Sequence, residues 1–107
     1  MGGVKNSIVL RELKRLKGII GRKYKIEKMI LFGSRSRGDE LLTSDVDLLV
    51  ISKDFDEIPF RKRPDIFLDN WKLPVDLEVL CYTPYEFERK KKEIGLIREV
   101  AKTGGVI

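Results

Sequence analysis

The chain has 107 residues, with 22 lysines and arginines against 17 acids, a formal net charge of +5 and no histidine. That length supports one domain over residues 1–107 with one core. The missing histidine excludes His-based triads, His general bases and His-rich metal sites, leaving carboxylate bases and oxygen-ligand cations such as Mg²⁺ or Mn²⁺.

The basic balance suits a polyanion: a nucleotide, a nucleic acid or an acidic partner. One cysteine, Cys81, cannot form an internal disulfide, so a reducing cytoplasm is the expected location. No signal peptide is recognisable, and no apolar run approaches the ~20 residues that span a bilayer, so no membrane association is expected.

In chain order, Val9, Leu13, Leu16 and Ile20 recur at spacings of one helical face and predict a first helix over residues 6–22, with Gly21 near its end. Residues 24–32 predict a first strand beginning near Lys25 or Ile26. A turn over 33–38 and a loop over 39–44 follow. Residues 45–52 predict a second strand, apolar on both faces through Val46 and Leu48–Ile51, hence central in its sheet. A charged loop is expected over 53–59 and a helix over 60–71, with Phe60, Ile66, Phe67 and Trp71 as apolar positions and Pro64 inside it. Residues 73–82 predict a third strand in which Asp76 and Glu78 share one face and Val75, Leu77 and Val79 the other. Thr83-Pro84-Tyr85-Glu86 is a capping box with proline at the first helical position, opening a helix that runs to about residue 98 or 102. Val106 and Ile107 can add a short edge strand.

The stretch that makes a chemical proposal is 33–50. An apolar strand leads into Gly33-Ser34, and Asp45 and Asp47 follow at the head of the next strand. Residues i and i+2 of a strand share a face, so these carboxylates lie roughly 7 Å apart at Cα. Burying them together is costly without a cation between them. Gly33 lets a backbone approach a phosphate that a Cβ would obstruct, and Ser34 can donate its hydroxyl to a phosphate oxygen. Arg35 and Arg37 follow; one suits a triphosphate, while the other braces the loop through Asp39 or faces solvent. A phosphate cradle beside an acidic pair is the equipment of metal-assisted phosphoryl or nucleotidyl transfer.

The pattern Gly33-Ser34, then Asp45 and Asp47 at a fixed spacing, with Asp76 in the hydrophobic setting Val75-Asp76-Leu77, resembles the signature of polymerase-β-like nucleotidyltransferases. The variant 33–39 and the short chain resemble the minimal nucleotidyltransferases of prokaryotes. The resemblance covers about residues 5–100. It implies an α/β fold, a small mixed β-sheet flanked by helices. It implies Asp45, Asp47 and Asp76 as catalytic residues and ligands of two Mg²⁺ ions, with Asp76 also drawing the proton from the acceptor. It implies Gly33 and Ser34, with Arg35 or Arg37, as the binding residues for ATP. It further implies transfer of AMP to a hydroxyl, a tyrosine on a HEPN-type helical toxin, with the chain as antitoxin.

Other readings compete with this one. The chain can be a non-catalytic inhibitory subunit of such a toxin, or a small-molecule (antibiotic) nucleotidyltransferase, which calls for a second lobe. A homo- or hetero-oligomer can complete the site. The clusters 61–63 and 89–92 can serve nucleic acid or an acidic partner, or form solvated helix faces. Trp71, Tyr82 and Tyr85 can stack on a base, meet a partner or pack in the core.

Overall fold

The computed structural model describes residues 6–32, 45–93 and 105–107. Helix α1 spans Asn6–Ile20 and strand β1 Lys28–Phe32. Strand β2 is Val46–Ile51, helix α2 Arg63–Leu68, strand β3 Leu77–Tyr82, helix α3 Pro84–Glu93 and strand β4 Gly105–Val106. The strands form a mixed sheet in the order β3-β2-β1-β4. β1 lies antiparallel to β2 and β4, and β2 lies parallel to β3.

The apolar stripe of α1 becomes one wall of the core. Val9, Leu13 and Leu16 are fully buried and Ile20 nearly so, each contributing about 1.5–3 kcal/mol of transfer free energy. The helix stops at Gly21, whose N–H donates to the Lys17 carbonyl at 2.9 Å. A Cβ on Gly21 would stand 2.7 Å from that oxygen, so only glycine fits the approach. α1 packs with Phe55 and Phe67 against one face of the sheet, formed by Met29, Leu31, Val46, Leu48, Val50, Leu77, Val79 and Cys81. A second, smaller cluster covers the other face: Ile30, Leu49, Ile51, Tyr82 and Phe87 of α3. β2 is therefore buried on both faces and paired on both sides, as its sequence requires.

Several boundaries differ from the expected ones. β1 begins at Lys28 rather than near residue 25 because its register pairs Lys28 with Ile51, the last residue of β2. β3 begins at Leu77 rather than residue 73 because Leu77 pairs with Val46, the first residue of β2. A strand reaches only as far as its partner. Residues 53–59 do not form a plain loop. Lys53–Glu57 is a 3₁₀ turn capped by Ser52, whose Oγ accepts from the Asp54 N–H at 3.1 Å. It drives Phe55 into the core, between Tyr24 and Phe67.

The helix expected over 60–71 divides into a 3₁₀ turn, Phe60–Lys62, and α2, in whose first turn Pro64 sits. Phe60 is half exposed rather than core. Trp71 follows α2, and its indole N–H donates to the Val75 carbonyl at 2.7 Å. The capping box of α3 forms as read. The Glu86 N–H donates to Thr83 Oγ1 at 3.2 Å, and the Thr83 N–H donates to Glu86 Oε1 at 2.9 Å. The continuation of α3 past residue 93 lies outside the described residues. The C-terminal edge strand is present, with the Ile107 N–H donating to the Met29 carbonyl at 2.8 Å. No helix among the described residues is long and apolar enough to cross a membrane.

Candidate active site

The site grows from the register of β2 and β3. Asp47 pairs with Phe32 of β1 on one side and with Glu78 of β3 on the other. The Val46 N–H donates to the Asp76 carbonyl at 2.9 Å, which draws the backbone of Asp76 beside the start of β2. Val46, Leu77 and Val79 point into the main core. By the period of two, Asp45, Asp47, Asp76 and Glu78 all lie on the opposite face. The parallel register thus brings together three of the acids expected from the sequence, Asp45, Asp47 and Asp76. It adds Glu78, which the alternation of β3 placed beside Asp76 without giving it a role. Asp45 and Asp76 are exposed just before their strands, and Asp47 is partly buried.

This face is acidic at the heads of the strands and apolar along their length, where Leu49, Ile51, Tyr82 and Phe87 gather. Asp47 sits at the boundary. Burial raises its pKa above the ordinary carboxylate value, and the neighbouring charges of Glu78 and then Asp45 raise it further. Crowding of this kind is relieved by a cation. The donors are all carboxylate oxygens on a shared face, which fits a hard divalent ion such as Mg²⁺ or Mn²⁺. Among the described residues no group of three or more aspartate, glutamate, cysteine or histidine side chains is placed to hold a metal ion.

An open cleft of about 630 Å³ adjoins the acids. Asp45, Asp76 and Glu78 line it together with Leu68, Trp71, Leu73 and Pro74. The segment carrying Trp71 is held from behind by α1. Arg15 donates to both Glu12 oxygens at 2.7 and 2.6 Å and to the Asn70 carbonyl at 2.6 Å, while the Lys72 N–H donates to Glu12 at 3.0 Å. The hydrogen bond from Arg15 is the largest influence on Glu12 and holds its pKa below the usual value. A separate cleft of about 330 Å³ is lined by Ile19, Tyr24, Asp65 and Asp69 and shares no lining residue with the first.

Gly33, Ser34, Arg35 and Arg37 lie outside the described residues. β1 ends at Phe32, opposite Asp47, so the chain leaves that strand at the acidic end of the sheet.

Two residues carry roles the sequence does not announce. Arg63, read with its neighbours as a surface cation, is buried at 4 % exposure. It donates to the Ile58 carbonyl at 2.9 Å, to the Cys81 carbonyl at 3.1 Å and to Glu86 at 2.6 Å. Tyr82 is buried in the second cluster, whereas Tyr85 is 69 % exposed. Neither distinction has a signal in a single sequence, because each depends on which partner the fold brings opposite.

A mixed sheet with Asp45, Asp47, Asp76 and Glu78 at the heads of two parallel strands, beside an open cleft, defines an α/β domain with an acidic surface site. The chain belongs to the nucleotidyltransferase domain family, whose model matches residues 13–103. A crystal structure of a "putative nucleotidyltransferase" from Sulfolobus solfataricus superposes with a TM-score of 0.60 at 28 % identity, covering 99 % of this chain and 89 % of that one. No curated protein matches the chain. The fold is thus the nucleotidyltransferase fold expected from the sequence, with four strands and three helices among the described residues.

Proposed function

We propose that residues 1–107 act as one Mg²⁺-dependent nucleotidyltransferase domain in the cytoplasm. It moves AMP from ATP to a tyrosine hydroxyl of a HEPN-type helical toxin and so serves as its antitoxin. The observation that carries the enzymatic part is the register Asp47 opposite Glu78, which puts Asp45, Asp47 and Asp76 on one face of two parallel strands. Membership of the nucleotidyltransferase family supports the reaction class. The toxin partner rests on the resemblance of residues 33–39 to minimal nucleotidyltransferases.

In this reading Gly33 and Ser34, with Arg35 or Arg37, hold the triphosphate. The acceptor oxygen forms a bond to the α-phosphorus, the bond from that phosphorus to the α–β bridging oxygen breaks, and pyrophosphate departs. Asp76 takes the proton from the acceptor hydroxyl. Asp45, Asp47 and Asp76 would hold the divalent cations, which supply charge neutralisation on the phosphate oxygens when bound. The cleft beside Trp71 receives the acceptor segment.

The test is co-expression of the chain, and of an Asp45→Asn/Asp47→Asn variant, with a helical protein encoded beside it. Loss of neutralisation in the variant, with an AMP adduct on a partner tyrosine only for the unaltered chain, supports the reading. Full neutralisation by the variant, without an adduct, replaces it with the inhibitory-subunit reading.

A further inference from the structure

At the end of the sheet away from the carboxylates, basic and aromatic side chains come together from two segments. Glu78 is the first β3 residue on this face and Tyr82 the last, so the two stand about 13 Å apart along the strand. Beyond Tyr82 lie the first turn of α3 and the 3₁₀ turn Phe60–Lys62. Arg63 rivets them together: its guanidinium bonds Glu86 of α3 at 2.6 Å and stands 5.5 Å from the Phe60 ring centroid. Phe60 in turn rests against Tyr82 at 5.5 Å between centroids. Glu86 and Lys90 are one helical turn apart, so Lys90 follows Glu86 on the side of α3 that faces the 3₁₀ turn.

The two segments that Arg63 joins each carry an exposed ring, Phe60 at 50 % and Tyr85 at 69 %, with Arg61 and Lys62 following Phe60 in one segment and Arg89 and Lys90 about one helical turn after Tyr85 in the other. Arg89 lies 5.8 Å from the Tyr85 ring centroid. Two acids of α3 are engaged, Glu86 by Arg63 at 2.6 Å and Glu88 by Lys91 at 3.0 Å. Large aromatic rings left in water among cations are the elements of a stacking platform on an electropositive track. Bases stack on the rings and phosphates meet the cations, with little dependence on sequence.

We propose that this surface binds single-stranded nucleic acid, at a place separate from the carboxylate site. Unpaired bases stack on the rings while their phosphates meet the cations, so a single strand engages both features. The formal net charge of +5 favours the same class of ligand.

The test is fluorescence anisotropy of the full chain with labelled oligo(U) and oligo(dT), titrated over a range of salt. The variants are Tyr85→Ala and Arg61→Ala/Lys62→Ala, all at exposed positions. Either strand should bind, the tighter one naming the preferred sugar. Tyr85→Ala should raise Kd about tenfold with the salt slope unchanged. The double variant should flatten the log–log salt slope by about 1.4, two phosphate contacts at about 0.7 each. Absence of binding to both strands at low salt overturns the proposal, as does wild-type binding by both variants. Equal or tighter binding of a duplex also overturns it. Displacement by polyglutamate, with Tyr85→Ala indistinguishable from wild type, overturns it in favour of an acidic protein.

Discussion

Asp47 and Glu78 stand directly opposite one another on neighbouring parallel strands, two carboxylates brought side by side by backbone register alone. Their juxtaposition raises the Asp47 pKa, after burial and ahead of the contribution from Asp45. A carboxylate raised in the folded state costs stability when ionised. The cost is absent below the ordinary value of 3.8 and sets in as pH rises through the folded pKa. Asp47→Asn should therefore melt a few degrees higher than wild type at neutral pH without divalent cation, and the two should converge in acid. Mg²⁺ should raise the melting temperature of wild type and leave the variant unmoved. A variant that melts lower at neutral pH would contradict the crowding.

The register also poses the question of which β3 acid serves the chemistry. Asp76 lies beside Asp45 and Glu78 beside Asp47. Loss of a general base costs about 10²–10⁴-fold in rate. With Asp76 in that role, Asp76→Asn should lower nucleotidyl transfer at least 100-fold, while Glu78→Gln retains activity within about tenfold of wild type. The reverse order in single-turnover rates would move the assignment to Glu78.

Arg63 ties the segment after β2, the end of β3 and the start of α3 into one unit. Arg63→Met leaves the buried Cys81 carbonyl without its side-chain donor and releases Glu86. A loss of about 2–4 kcal/mol in urea denaturation is expected. Arg63→Lys should recover little, since one ammonium cannot reach three acceptors held in a planar fork. A loss below about 0.5 kcal/mol would show that the packing of Phe55 and Phe60 suffices.

Glu12 sets the acid limb of stability. Its folded pKa lies below the ordinary value of 4.5, chiefly through the hydrogen bond from Arg15. The stabilisation is complete above 4.5 and is lost as pH falls through the depressed value. At Glu86 burial is the largest single influence and pushes the pKa up, but the bonds from Arg63 and Thr83 together outweigh it and lower the pKa, so Glu86 adds to the same window. Glu12→Gln should flatten the decline of stability below pH 4.5, read from urea midpoints across that range.

Cys81 is 1 % exposed, and burial pushes its thiol up to about 12. The thiolate is the reactive form. Cys81 should resist an aromatic disulfide reagent at pH 8 in the native protein and react at once in urea. Labelling of the native chain at the rate of a free thiol would contradict its placement.

Much of this arrangement is legible in the sequence. The stripe Val9-Leu13-Leu16-Ile20 marks a helix face because four apolar side chains at that spacing have no other consistent use. The run Val46–Ile51 marks an interior strand because it offers no polar face. Thr83 and Glu86 announce their cap because its chemistry is local. What stays hidden depends on partners distant in sequence. Phe55 is a lone ring among Lys53, Asp54, Asp56 and Glu57, with no periodicity to mark it as core. Arg63 cannot be told from Arg61 until Ile58, Cys81 and Glu86 converge on it. The starts of β1 and β3 are fixed by the length of β2. Asp47 and Glu78 are each visible as strand acids, but only the parallel register makes them neighbours.

The most direct test of the central claim is transfer from ATP radiolabelled in the α-phosphate, in Mg²⁺, onto the helical protein encoded beside the chain, with Asp47→Asn in parallel. Label on the partner that disappears with Asp47→Asn or with chelation of Mg²⁺ is the predicted result. A stable complex that carries no label, or label of equal strength with Asp47→Asn, would contradict the assignment of the carboxylate face as the catalytic site.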